Sequence, residues 1–366
     1  MDSKTGFLSS DSLTQHKWSD ALAVEAAVLQ YMFKFMGAGF DSMIRVLKDL
    51  SKSAGDKITY GLRMKLAGDG VEGDNQLEGT VAEEALVFYS DYIYIDQRRK
   101  GTKSKGKMSE QRVAYNIRDQ GKQALTVWWA EDYDQQMFLY AAGARGVDTS
   151  IHFSTAWTGR ASNTLTAPDS THQIYAGDAH SAAEIDEADI MDLVVIEKCI
   201  SKAETTDPMI QPFNVDGEKK YVLLMHTWQQ HQLRTNTSTG DWQDITKFAA
   251  ERGKKNPLYK NALGEFADVI MHKHRYIPRF STYGSGALPA ARALFLGAQA
   301  ITAAWGGTVL EGGAKGRFGW HEETDDRGNA LAISTGSIYG IKETTFNSKR
   351  FGMFAVDSYC KDPNAA

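Results

Sequence analysis

The stretch Lys57-Ile-Thr-Tyr-Gly-Leu-Arg-Met-Lys-Leu66 alternates apolar and polar side chains. Ile58, Tyr60, Leu62, Met64 and Leu66 fall on one side of an extended chain, and Thr59, Gly61, Arg63 and Lys65 on the other. That period of two predicts a half-buried strand. Residues 86–96, with Phe88, Tyr89, Tyr92, Ile93, Tyr94 and Ile95, read as its return strand. The intervening residues 67–84 are Gly-rich and carry Asp69, Glu72, Asp74, Glu78, Glu83 and Glu84 with no Lys or Arg. The whole is a long hairpin with an acidic tip. An isolated two-stranded hairpin is marginal in water, so its apolar face is expected to need another surface, such as a neighbouring subunit.

C-terminal to the hairpin the charge inverts, with Arg98, Arg99, Lys100, Lys103, Lys105 and Lys107 within ten residues. Residues 108–142 then contain no Pro and only Gly121, with Val113, Ile117, Leu125, Trp128 and Trp129 on an apolar side. Read as one helix of about 35 residues, this segment would span roughly 50 Å and serve as a spine. N-terminal to the hairpin, residues 18–36 show a helical stripe, capped by Ser19 and stopped by Gly37 and Gly39.

The remaining chain mixes both periods. Residues 144–179 read as irregular or short strands. Ser181 and Glu184 match a capping box, followed by Asp186, Glu187 and Asp189, which predicts a helix to about residue 203. Strands are expected at 221–225, 268–272, 293–296, 318–323, 340–346 and 350–357, and helices at 228–234 and 241–252, the latter broken by Asn256-Pro257. Without a βαβ rhythm, the order indicates an α+β fold.

Composition narrows the function. The 366 residues suffice for two core-forming units. An apolar share of 42% and a charged share of 24% exclude a disordered or fibrous chain. A net charge of −5 supplies no global attraction to nucleic acid. Cys199 and Cys360 form neither a disulfide framework nor a thiolate zinc site. The first residues lack the basic-then-apolar order of a secretion signal, and the apolar stretch 287–307 is interrupted by Pro289, Arg292 and Gln299, so no membrane span is expected.

No catalytic, cofactor-binding or metal-ligating residue is expected. His272 and His274 would share a strand face but lack further ligands, and His226 and His231 are five apart, the wrong spacing for one helix face. The glycines between 306 and 319 lack P-loop spacing, Gly284-Ser285-Gly286 lacks that of a nucleophile elbow, and the acidic tip lacks the calcium-loop pattern. Trp128 and Trp129 suit packing better than a ligand pocket.

Gly55-Asp-Lys-Ile-Thr59, Gly73-Asp-Asn-Gln-Leu-Glu-Gly79, Met108-Ser-Glu-Gln-Arg112, Asn256-Pro-Leu258 and Arg292-Ala-Leu-Phe-Leu-Gly-Ala-Gln-Ala300 occur in this order. Their wording and the order of elements resemble the major capsid proteins of tailed bacteriophages, in particular the family typified by the short-tailed coliphage that packages its own giant virion RNA polymerase. Two departures exist: Thr80-Val81-Ala82 interrupt the acidic run of the tip, and Thr227 stands where the family pattern has Pro.

The resemblance implies an N-terminal arm (1–54), an extended hairpin loop (55–100), a peripheral domain with the spine helix (101–184), an axial domain (185–335) and terminal strands returning to the peripheral domain (336–366). It implies a non-enzymatic icosahedral shell subunit, made in the host cytoplasm and located in the virion, that joins copies of itself into pentamers and hexamers around a double-stranded DNA genome. Scaffolding, portal and decoration proteins would be partners, with only weak, sequence-independent contact to the DNA. An encapsulin-like nanocompartment shell and a soluble α+β enzyme are the alternative readings. The charge pattern leaves two readings: two independently solvated loops, or an acidic tip of one subunit that docks on the basic run of the next, a heterologous contact able to close rings.

Overall fold

The computed structural model describes residues 22–47, 55–63, 69–79, 83, 88–112, 116–215, 217–235, 262–309 and 315–364. The expected helix at 241–252, its Asn-Pro break and Glu84 lie outside them.

Residues 22–29 form helix α1, which buries Leu22 and Ala26. It ends well before Gly37, the stop expected from the sequence. The buried Asp134 carboxylate takes the backbone N–H groups of Tyr31 and Met32 at 2.7 and 3.0 Å, the donors that another α-turn would use. A 3-10 turn, Met32–Phe35, follows.

Strand β1 is Ile44–Leu47. The hairpin pairs β2 (Lys57–Arg63) with β3 (Phe88–Tyr94), in register from Lys57 opposite Tyr94 to Arg63 opposite Phe88. The base of its apolar face is covered within the same chain: Ile58, Tyr60 and Leu62 are buried with Leu47, Ile93, Ile95 and Ala304, while Tyr89, opposite Leu62, stays exposed and Met64 and Leu66 lie outside the described residues.

The basic run is itself a strand, β4 (Asp96–Lys103). The expected 35-residue helix is broken into α2 (Lys107–Gln111) and α3 (Ile117–Ala142). Asn116 is the reason for the restart: its side chain accepts the Arg118 N–H at 2.9 Å, and Asp119 stands in the first turn. Gly143, at φ 66°, ends α3 in a left-handed C-cap; a Cβ there would run into the Thr166 carbonyl and the Arg350 guanidinium.

Residues 144–172 hold only short pairings, as expected, before β5 (Gln173–Tyr175). The capping-box helix does not start at residue 181. Glu184 accepts the His180 N–H, and its own N–H bonds Ser181 O, closing a turn instead. Helix α4 (Leu193–Thr205) starts later, capped by Asp192 on the Val195 N–H at 2.8 Å. Then come β6 (Glu218–Met225), α5 (Thr227–Thr235), β7 (Val269–Lys273), β8 (Arg279–Tyr283), β9 (Leu288–Leu296), β10 (Ile301–Trp305), β11 (Gly319–Asp325), β12 (Ala330–Glu343) and β13 (Met353–Tyr359). The apolar stretch 287–307 is thus two buried strands, and no helix among the described residues is long and apolar enough to cross a membrane.

Two sheets result. In the first, β1, β10, β12 and β11 follow one another, and β4 pairs with the other edge of β12, Asp96 opposite Tyr339 through Lys103 opposite Ala332. The second has the order β7, β6, β9, β13, β5, extended by short strands. Sheet membership divides the chain differently from the expected segments: residues 301–335 contribute to the first sheet, and β13 to the second.

Helix α3 ties the sheets together. Trp129 donates to Thr335 at 2.6 Å, Tyr133 to Ser337 at 2.9 Å, and Gln136 to the Tyr339 hydroxyl. Seven residues of helix rise about 10 Å and four residues of strand about 13 Å, so a helix stripe and alternate residues of β12 stay in step. At the far end, Arg350 and Arg292 donate to the Ala141 and Ala142 carbonyls at 2.7 and 3.0 Å. The latter arginine is fixed in the second sheet by Asp357, at 2.7 Å. Both cations meet the negative end of the helix dipole.

Candidate intersubunit surface

The base of the hairpin is locked by a carboxylate that sequence reading missed. Asp91 is buried, pairs with the Lys342 ammonium at 2.6 Å, and accepts from Tyr60 OH and the Thr345 N–H, each at 3.0 Å. Burial acts to raise its pKa, but the Lys342 and Thr345 hydrogen bonds outweigh that and hold it below the usual carboxylate range. The only sequence signal was a lone acid within an aromatic strand.

The tip is built differently. Asp69, Glu72, Asp74, Glu78 and Glu83 are all exposed. Its hydrogen bonds are local: Asn75 Nδ2 to Glu72 O at 2.7 Å, and the Gly79 N–H to Glu83 Oε2 at 2.9 Å. Leu77 stands 52% exposed between these acids.

Arg98, Arg99, Lys100 and Lys103 lie along β4, whose outer edge carries no further strand among the described residues, and Lys105 and Lys107 follow its end. They divide into two groups. Arg98 is half-buried and spent within the chain, at 2.7 Å from Asp132 and over the Trp128 ring. Lys103 pairs with Asp325. Arg99, Lys100, Lys105 and Lys107 are exposed, Lys100 with its ammonium 5.3 Å from the Trp128 ring centroid. The structure does not bring the acidic and basic sets together within one chain, among the described residues. It leaves an acidic tip and a cationic strand edge both facing outward.

Asp132, also missed, anchors that edge from behind. Fully buried, it accepts from Arg98 at 2.7 Å, Gln136 at 2.7 Å and Tyr339 OH at 2.7 Å, with His152 Nε2 at 2.9 Å. Two acids in the apolar half of a helix were its trace in the sequence.

His272 and His274 both contact the Tyr31 ring, His274 stacks on Phe138 with centroids 4.6 Å apart, and Lys34 Nζ lies 3.3 Å from His272 Nδ1. Burial pushes His274 down to about 3 and His226 to about 4. No group of three potential ligands converges among the described residues.

Comparison with known proteins agrees with this architecture. The chain is 26% identical to the major capsid protein of Pseudomonas phage KPP25, with 93% of each chain covered. It is similar to the capsid of Ralstonia phage GP4, with a TM-score of 0.86, 37% identity and 100% of both chains covered. The capsid asymmetric unit of cyanophage Pam1 shares the fold at a TM-score of 0.70 and 20% identity, over 90% of this chain and 92% of that one. A family model described as phage capsid protein matches residues 5–362, and the chain belongs to that family.

Proposed function

We propose that the chain builds the phage head by laying the acidic hairpin tip of one subunit on the exposed cations of β4 and its C-terminal extension, residues 99–107, in the next. As a major capsid protein it acts as a structural shell subunit in the virion and associates with its own copies into capsomers. The observation that carries the finer reading is the division of labour along β4 and the residues just after it: Arg98 and Lys103 are paired within the chain, whereas Arg99, Lys100, Lys105 and Lys107 are left outward. A heterologous contact between two unlike patches closes into pentamers and hexamers when the rotation permits. Exposed pairs contribute about 0–1 kcal/mol each, so they steer association and fix register, and repetition over the shell supplies the stability.

In this reading residues 1–54 are the arm and 55–100 the extended loop. Of the remaining residues, α3 with the first-sheet strands β10, β11 and β12 forms the peripheral domain, and the second sheet with α4 and α5 the axial one. Motif order supports a kinship with the capsid proteins of the coliphage that carries a giant virion RNA polymerase. The same resemblance supports scaffolding, portal and decoration proteins as partners, and weak, sequence-independent contact with packaged double-stranded DNA, given the net charge of −5.

Reversing Arg99 and Lys105 to Glu should abolish or strongly slow shell assembly, read by light scattering and electron microscopy, without changing the melting temperature of the subunit. Reversing Glu78 and Glu83 to Lys in the same chain should restore part of it. A quadruple variant no better than the double one rejects the pairing.

A further inference from the structure

The second sheet ends at β5, whose inner side pairs in parallel with β13, Gln173 opposite Ala355 and Tyr175 opposite Asp357. No strand covers its outer side among the described residues. The Gln173 and Tyr175 carbonyls face outward, because two lysines of α4 bond them from that side: Lys202 Nζ reaches Gln173 O at 2.8 Å, and Lys198 Nζ reaches Tyr175 O at 3.3 Å. In a strand the N–H and C=O of one residue point the same way, so the N–H groups of these two residues face outward as well.

Lys198 and Lys202 are one helical turn apart on the same face of α4. They line a cleft of about 520 Å³ that also holds Pro168 and His180 and has no carboxylate in its wall. Neither lysine makes an ion pair with a carboxylate among the described residues; both bond backbone carbonyls, and the Lys202 ammonium also lies 5.6 Å from the Phe354 ring centroid. Burial, with repulsion from Lys198, pulls the Lys202 pKa below that of a free lysine, more than the opposing attraction of Cys199 and Asp169 raises it.

We propose that this cleft accepts an extended acidic segment of a separate protein chain, which adds to the open edge of β5 as a further strand. The exchange of partners is balanced. The incoming N–H groups replace the ammonium groups on the Gln173 and Tyr175 carbonyls, the incoming carbonyls take the two outward N–H groups, and the freed lysines turn to the incoming carboxylates. Spacing fits: lysines one turn apart are separated by about 5–6 Å, and acids at i and i+2 of an extended peptide by about 6–7 Å. A nucleic acid backbone would satisfy the cations but offers no regularly spaced donors for the vacated carbonyls. The acidic tip of a second copy is the wrong shape, since Glu72 and Asp74 flank Gly73 at φ 64° in a turn closed by Asn75 on Glu72 O.

The test uses the unassembled full-length chain and a fluorescent Thr-Glu-Val-Glu-Val-Glu-Thr peptide, followed by anisotropy across a salt series. Binding should weaken with salt and fall about tenfold or more in Lys198→Glu/Lys202→Glu. The milder Lys198→Gln/Lys202→Gln should fall less, with the melting temperature unchanged in both. A peptide with Pro in place of the central residues should bind at least tenfold more weakly, because it cannot complete the strand ladder. Absence of binding overturns the proposal. So does equal binding of the Pro peptide or of oligodeoxythymidylate, which would reveal plain anion attraction. Tighter binding of a peptide covering residues 69–79 would assign the cleft to a second copy of this chain and overturn the separate partner.

Discussion

The two ends of one hairpin obey different physics. At its base, β2 and β3 bury Ile58, Tyr60, Leu62 and Ile93 and close on Asp91, whose oxygens are shared among Lys342, Tyr60 and Thr345. At the tip, five exposed acids make only local bonds among the described residues. Contacts that fold the subunit and contacts available for joining subunits are therefore segregated along a single strand pair. In the proposed assembly, the subunit is therefore folded before its joining surface is satisfied.

The largest effect that could break this contrast lies at the base. Asp91→Ala leaves the Lys342 ammonium and the Tyr60 hydroxyl without their acceptor in a buried setting and should cost about 3–5 kcal/mol of subunit stability, measured by denaturant unfolding. A loss below about 1 kcal/mol would mean that the base is held by apolar packing alone.

Acidification sharpens the comparison with a smaller effect. The Asp91 pKa is depressed in the folded chain, so its stabilisation is present above the ordinary carboxylate value and lost as pH falls through the folded one. Asp134, where α1 docks on α3, has the opposite sign: burial pushes it up to about 7, against the N–H bonds from Met32 and Tyr31. The folded chain then binds more protons than the unfolded one between about pH 4 and 7, and this site loses stability as pH rises across that window. Asp134→Asn should flatten that slope, and Asp91→Asn should reduce the loss below pH 4; both are read from unfolding free energies against pH.

The smallest effect belongs to the tip. Glu78→Ala should change subunit stability by no more than about 0.5 kcal/mol, while assembly at high salt becomes less sensitive to ionic strength. A tip variant that unfolds the subunit would erase the distinction.

Much of this was legible in the sequence because it is written in local periods. The alternation at 57–66, the run Tyr221 to Met225 and the apolar stretch around Arg292 became β2, β6 and β9, since alternating or continuous apolar residues can bury themselves in few ways. The charge segregation was equally plain, as was the resemblance to tailed-phage capsid proteins. The misreadings share a cause. Lys and Arg have weak strand preference, so β4 was visible only through its pairing with β12. The capping box at Ser181 and Glu184 was real as local chemistry but closed a turn, and Asp192 capped the helix instead.

The sequence by itself determined the fold class, the hairpin and the signs of its two exposed charges, because these depend on neighbours a few residues apart. Tertiary structure alone decided which charges remain available. Asp132, Asp325 and Lys342 are between 34 and 251 residues from the partners they neutralise. Coulomb attraction depends on distance through space and on burial, neither of which a linear order of residues records.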